Sequence, residues 1–252
     1  MGVAQVKEER KTGKVIYLNK SQKLKKDGTP KRTHSNSKEN DPHEVYPFKN
    51  DDEIKAMIQY FINKENNADT EDRKRINARY KMLFIVGINV ASRCGDLVEL
   101  TWGDVFEKDG SFRDWSRKKE QKTGKYRNLF FNTAARKVIT EYIEKYHPIV
   151  EPDRYVFKSR EGGHICVRSV RKALKDAAEA CGIKQNIGTH SMRKTFGYRY
   201  LRKHNNDALA VITLQKLYGH SSPAITLIYC GITDEESKQC YEDMNLGMFD
   251  DL

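Results

Sequence analysis

The chain has little that would commit it to a membrane, a metal ion or an oxidising compartment. No stretch approaches the ~18 consecutive apolar residues that a membrane-spanning helix requires, and no signal-peptide pattern opens the sequence. Five cysteines (Cys94, Cys166, Cys181, Cys230 and Cys240) form no C-x-x-C pair and no Cys/His cluster at zinc spacing. An odd, scattered set of thiols is what a reducing cytoplasm permits, and it excludes a disulfide-stapled framework. The carboxylates are not clustered as a metal-dependent nuclease needs them. No internal repeat is present.

What the sequence has is positive charge. In 252 residues, 46 Lys and Arg stand against 35 Asp and Glu, for a net +11. That balance favours a polyanion as partner, DNA or RNA ahead of an acidic membrane surface. The length suits one large domain or two small ones, and a hydrophobic share of 38% suffices for a sizeable core. Residues 1–45 are poor in apolar side chains and hold 11 Lys/Arg against 6 Asp/Glu. They read as a mobile basic arm, either a solvated tail or a contact for a DNA backbone. Folded sequence is expected from Tyr46, with residues 46–252 forming one domain plus a C-terminal helix and tail.

Helical periodicity dominates that domain. Asp51 or Asp52 is placed to cap a helix whose Ile54, Met57, Ile58 and Phe61 share a face. From Ile76 a second helix becomes nearly all apolar through Met82, Leu83, Phe84, Ile85, Val86, Ile88 and Val90. It is therefore expected to be buried at the centre. Arg93 follows at its C-terminal end, then a short helix over Asp96–Leu100. Residues 105–132 change character: Phe106, Phe112 and Trp115 alternate with polar residues, and Tyr126, Leu129, Phe130 and Phe131 follow a Thr123-Gly124 break. This spells a small antiparallel sheet turning at Lys122–Lys125. Further helices are expected from a Thr133 cap to Pro148, over Val167–Cys181 with Gly182 as the stop, around His190, and over Asp207–Tyr218. Ser222-Pro223 is a strong start for the helix bearing Tyr229. Thr233 and Glu236 form a capping-box pattern for a last helix reaching about Asn245. The fold class is mainly α with a small antiparallel β-sheet.

Metal-free cutting and rejoining of DNA needs a nucleophile that conserves the phosphodiester energy as a covalent link, which a Tyr hydroxyl does. Its pKa of ~10 means that it must be activated. Guanidinium forks suit the charge that builds on the phosphorane, and a Lys can protonate the leaving oxygen. Residues 89–105 (NVASRCGDLVELTWGDV), 120–132 (EQKTGKYRNLFFN), 189–196 (THSMRKTF) and 217–232 (LYGHSSPAITLIYCGI) together resemble the active-site segments of the tyrosine recombinases, the phage integrase family. The likeness spans about residues 46–245 and implies that family's catalytic-domain fold. It implies Arg93 and Arg193 as phosphate clamps and Asp96 as the acid orienting Arg93. It assigns Lys122, with Lys125 as rival, to protonation of the leaving oxygen, and His190 to proton transfer. His220 becomes a phosphate hydrogen-bond donor and Tyr229 the nucleophile. No metal and no cofactor are implied. The partners implied are double-stranded DNA, further copies of the chain in a synaptic tetramer and an accessory DNA-binding protein. The setting is cytoplasmic, on the nucleoid. Met244, Leu246 and Met248 are candidate anchors for docking the last helix on a neighbouring protomer.

Each element alone has a plainer reading. Arg93 suits a helix C-terminus, Asp96 an N-cap, the lysines a solvated hairpin, His220 the neighbour of a helix cap and Tyr229 a core aromatic. Their order and spacing together carry the resemblance. Ala91-Ser92 stand where many relatives have Gly-Leu, and Asp96 where Glu is commoner. The alternatives are type IB topoisomerase-like relaxation, or a catalytically weak DNA-binding module, since only about 45 polar residues stand where many relatives carry a separate core-binding domain.

Overall fold

The structure is a computed structural model and describes residues 44–119, 124 and 126–244, without the side chains of 233–236. Residues 1–43, the hairpin connection holding Lys122 and Lys125, and Leu246 and Met248 lie outside the described residues.

Two helices start the domain. α1 (Asp51–Asn66) is capped by Asn50, whose side chain accepts from the Glu53 amide, and α2 (Glu71–Asn89) is capped by Thr70. Both caps lie upstream of the expected starts, because an extended backbone at Asn50 and Thr70 turns their side-chain oxygens onto the N3 amides. α2 is the hub, packing on α1, on α5 (Thr133–Tyr146) and on α7 (Thr189–Lys203). Its Met82, Leu83, Phe84 and Val86 are fully buried, as the apolar run requires.

Between α2 and α5 come two short helices, α3 (Cys94–Val98) and α4 (Trp102–Val105). A two-stranded antiparallel hairpin follows, β1 (Ser116–Lys119) with β2 (Tyr126–Leu129), in the register Ser116↔Leu129, Arg117↔Asn128, Lys118↔Arg127. The sheet is smaller than the aromatic alternation promised. Phe106 and Phe112 meet in an isolated bridge, and Trp115 stays exposed against Phe130. Asn132, one residue before Thr133, caps α5. α6 (Val167–Ala180), α8 (Ala208–Tyr218), α9 (Pro223–Cys230) and α10 (Thr233–Asp243) complete the domain. Asp207 and Ser222 cap α8 and α9, while the expected capping box of α10 involves side chains that are not described.

Two hydrophobic clusters form among the described residues. The larger joins α1, α2, α5 and α6 through residues such as Phe48, Phe61, Phe84, Leu97, Ile139 and Leu174. At its edge the buried carboxylate of Glu65 takes bonds from Lys81, Lys145 and the Tyr146 hydroxyl at 2.6–3.0 Å. The smaller cluster ties α7, α8 and α9 through Tyr198, Leu201, Val211, Leu214, Tyr218 and Cys230. Helix α7 contributes to both, through Met192 to the first and Tyr198 to the second. Glu44 and Val45, assigned by sequence to the arm, already meet the folded body. The Glu44 carbonyl accepts from Asn186, and Val45 packs by Gly188.

Candidate active site

Helix α7 sets the first two side chains. His190 sits in its first turn and Arg193 one turn on, so both project from one side. His190 is exposed at the surface while Arg193 is only 3% exposed. A buried guanidinium must find acceptors. Arg193 Nη1 donates to the Ala91 carbonyl at 2.6 Å, Nη2 to the Tyr218 carbonyl at 3.1 Å, and Cζ lies 4.1 Å from the Tyr218 ring centroid. The Tyr218 hydroxyl donates back to the Arg193 carbonyl. The fork is thus held by the segment before Arg93 and by the end of α8.

Ala91 adopts φ +58, in the left-handed region that disfavours a side chain. The backbone turns sharply here between α2 and α3, aiming the Ala91 carbonyl at Arg193 and leaving Arg93 at the N-cap of α3. Arg93 is half-buried, and its charge acts on His220, Tyr229 and Arg193. Asp96 is buried and lines a narrow cleft with Ser92, Lys118, Arg127 and Leu217.

Gly219 ends α8 at φ +64 and swings the chain so that His220 faces the site. His220 Nδ1 lies 3.0 Å from the hydroxyl of fully buried Thr226, one turn into α9. Burial first, then the charges of Arg193, Arg93 and Arg127, push the imidazole down to about 4. His220 is therefore neutral at physiological pH.

Tyr229 stands three residues after Thr226 and is half-buried at the mouth of this pocket. Its hydroxyl lies 3.2 Å from His190 Nδ1. Its ring meets those of His220 and Tyr218 edge-on, at centroid distances of 5.1 and 5.6 Å. The Lys194 ammonium is 5.5 Å from the ring centroid. Burial pushes the phenol up to about 12, against the pull of Arg193 and Arg93. The phenol is therefore protonated at neutral pH, with the His190 imidazole within hydrogen-bond distance and two guanidiniums nearby.

Five of the residues singled out in the sequence, Arg93, His190, Arg193, His220 and Tyr229, thus converge. Lys122 and Lys125 lie outside the described residues. Sequence reasoning missed Thr226, which orients His220, and Tyr218, which carries Arg193. It also missed Arg127, whose guanidinium donates to the Leu217 and Tyr218 carbonyls. Period-two alternation in β2 held a signal for Arg127, setting it on the face opposite Tyr126 and Asn128. Among the described residues no three His, Cys, Asp or Glu side chains gather as a metal site, and no helix is long and apolar enough to cross a membrane.

This arrangement can be compared with known proteins. Residues 50–236 match the model of the phage integrase family. The chain belongs to that family. It is 33% identical over 201 residues to the probable integrase/recombinase YoeC of Bacillus subtilis, covering 79% of this chain and 97% of that protein. It is 26% identical over 180 residues to the tyrosine recombinase XerC of Oceanobacillus iheyensis, covering 70% of this chain and 55% of XerC. The fold is that of the XerH site-specific recombinase bound to its palindromic difH substrate (TM-score 0.57, 18% identity, 87% of this chain and 59% of XerH). It is also that of the XerA recombinase (TM-score 0.55, 21% identity, 80% and 66%). The chain thus spans nearly all of one curated relative and about half of the other. The mainly α catalytic-domain fold with a small antiparallel sheet is observed, and membership makes this integrase-family chain an enzyme of the tyrosine recombinase type, which cleaves and rejoins DNA.

Proposed function

We propose that the chain is the catalytic part of a site-specific DNA recombinase in which Tyr229 attacks a phosphodiester. The observation that carries this reading is the placement of the Tyr229 hydroxyl 3.2 Å from His190 Nδ1, in a pocket charged by Arg93 and Arg193. At pH 7 a phenol that burial pushes up to about 12 is almost wholly protonated, so attack must be coupled to proton removal. In this mechanism His190 accepts the phenolic proton as the Tyr229 oxygen bonds to phosphorus. Arg93 and Arg193 hold the charge that builds on the non-bridging oxygens, and His220, neutral and braced by Thr226, donates a hydrogen bond to one of them. Lys122 protonates the departing 5′-oxygen as the phosphorus–oxygen bond breaks, and Lys125 is its alternative. Asp96 helps hold Arg93. The products are a 3′-phosphotyrosyl link and a 5′-hydroxyl, and the 5′-hydroxyl of another strand reverses the step.

Assembly belongs to the same proposal. Exchange between two duplexes cuts four strands, each by its own nucleophile, so the chain acts as a homo-tetramer on double-stranded DNA of the bacterial cytoplasm, in the service of a mobile element. The exposure of Met244 at the end of α10 supports docking of that helix on a neighbouring protomer. The basic residues that precede the folded body add contacts to the DNA backbone, and an accessory DNA-binding protein assists.

The test is Tyr229→Phe on a suicide substrate, a nicked duplex that loses its short 5′-hydroxyl strand after cleavage. The wild-type chain should form a covalent adduct that withstands denaturing gels. The variant should form none while shifting the same DNA in a native gel. An adduct with Phe at 229 assigns the nucleophile elsewhere.

A further inference from the structure

The hairpin β1–β2 holds the chain's best match for the proton donor on its connection, yet a two-stranded ribbon has little rigidity of its own. Two side chains directly opposite each other in the ladder, Lys118 and Arg127, tie it down on both sides. Lys118 Nζ donates to the Glu99 carbonyl at 2.9 Å and to the Asp104 carboxylate at 2.6 Å, joining β1 to the segment that follows Arg93. Arg127 donates to the Leu217 and Tyr218 carbonyls, joining β2 to the end of α8 just before His220. The Tyr218 carbonyl is shared, since it also accepts from Arg193 at 3.1 Å. Gly219 is the counterpart of this tie. A Cβ there would sit 2.0 Å from Arg127 Nη2, so the fork fits only because residue 219 has no side chain. Arg127, Asp96, Lys118 and Leu217 line one cleft, and the charge of Arg127 is felt at both His220 and Arg193.

We propose that Arg127 and its cross-strand partner Lys118 are positioning residues that lock the hairpin to both phosphate-binding walls of the site, so that the lysine on its connection reaches the leaving oxygen. The inference rests on the recombinase reading and adds a role for two residues outside the set that would touch DNA. A planar fork bridging two carbonyls does this in a way a single ammonium cannot, so Arg127→Lys should recover only part of what Arg127→Ala loses.

The experiment compares cleavage of two suicide substrates, one with the ordinary 5′-oxygen and one with sulfur at the bridging position. A thiolate departs without a proton, so sulfur removes the need for a placed acid. Arg127→Ala and Lys118→Ala should lower the cleavage rate 10- to 100-fold on the oxygen substrate and less than about 3-fold on the sulfur substrate. Arg127→Lys should fall between. Equal losses on both substrates would mean that the phosphate pocket itself had collapsed, and wild-type rates on both would mean that the tie is idle. Either result overturns the proposal. Amide hydrogen exchange in the DNA-free protein supplies a reading independent of recombination. Arg127→Ala should speed exchange together in 126–129 and 215–220 and leave α5 unchanged; unchanged exchange in both segments also overturns the proposal. If the wild-type chain forms no adduct while this exchange coupling holds, the recombinase reading fails and the mechanical tie stands.

Discussion

Gly197 lies where the helix carrying His190 and Arg193 packs against Tyr218 and against Cys230 of the helix carrying Tyr229. A Cβ at this position would meet Cys230 Sγ at 2.5 Å and the Tyr218 hydroxyl at 2.8 Å. Two effects of Gly197→Ala oppose each other. Helix propensity favours Ala by about 0.5–1 kcal/mol. Against it, ordinary contact starts near 3.4 Å, so the Cys230 contact must open by about 0.9 Å. Neither neighbour yields cheaply. Cys230 and Tyr218 are fully buried, and the Tyr218 hydroxyl is bonded to the Arg193 carbonyl. Overpacking of this kind costs about 1–3 kcal/mol, so the net expectation is a loss of about 1–2 kcal/mol in urea unfolding. The strain falls beside Tyr229, and a shift approaching 1 Å at a reacting group lowers its rate by up to about 100-fold. Suicide-substrate cleavage should therefore fall at least 10-fold at unchanged DNA affinity. Two controls sharpen the test. Cys230→Ala in the same chain removes the nearest obstacle and should recover about 1 kcal/mol of the loss as a coupling energy. Gly87→Ala meets Met192 Sδ at 2.4 Å, a still shorter contact. The thioether is the flexible part of Met192 and can turn aside, so that variant should lose less stability and keep its cleavage rate. If Gly197→Ala is stabilised by about 1 kcal/mol and cleaves at the wild-type rate, the close approach of α7 and α9 is not what sets Tyr229.

Two further outcomes follow from single hydrogen bonds and dihedrals. Thr226→Val keeps the shape of a fully buried side chain but removes the hydroxyl that braces His220 Nδ1 at 3.0 Å. Cleavage should fall about 5- to 10-fold with about 1 kcal/mol of stability, measured by adduct formation and by urea unfolding. An unchanged cleavage rate would show that Thr226 does not orient the imidazole. Ala91→Gly frees a residue at φ +58, relieving about 1–2 kcal/mol of left-handed strain while adding about 0.4–1 kcal/mol of unfolded-chain entropy. The urea midpoint should rise by an amount worth about 0.5–1 kcal/mol at constant slope, and a fall would mean that the turn is not strained.

Much of the domain was legible from local chemistry. The apolar run at 82–90 announced a buried helix, Ser222-Pro223 and Asp207 announced helix starts, and Gly219 and Gly182 announced stops. These signals work because helix periodicity and capping involve residues within four positions of one another. The misplacements were also local. Asn50 caps where Asp51 or Asp52 was expected and Asn132 where Thr133 was, since neighbouring polar residues compete for the same role and only the backbone angles choose between them. The order of Arg93, the hairpin, His190, Arg193, His220 and Tyr229 was enough to suggest the family and the chemistry. It could not say that Arg193 would be held by carbonyls 102 and 25 residues away, nor that Ala91 would turn left-handed to offer one of them. Nor did it indicate that Arg127 would reach the end of α8, 90 residues along the chain. Local pattern determined which helices form and which faces they bury. Packing of α7 against α2, α8 and α9 decided which side chains meet, because contacts between distant segments depend on how buried faces fit together and leave no periodic trace in the chain.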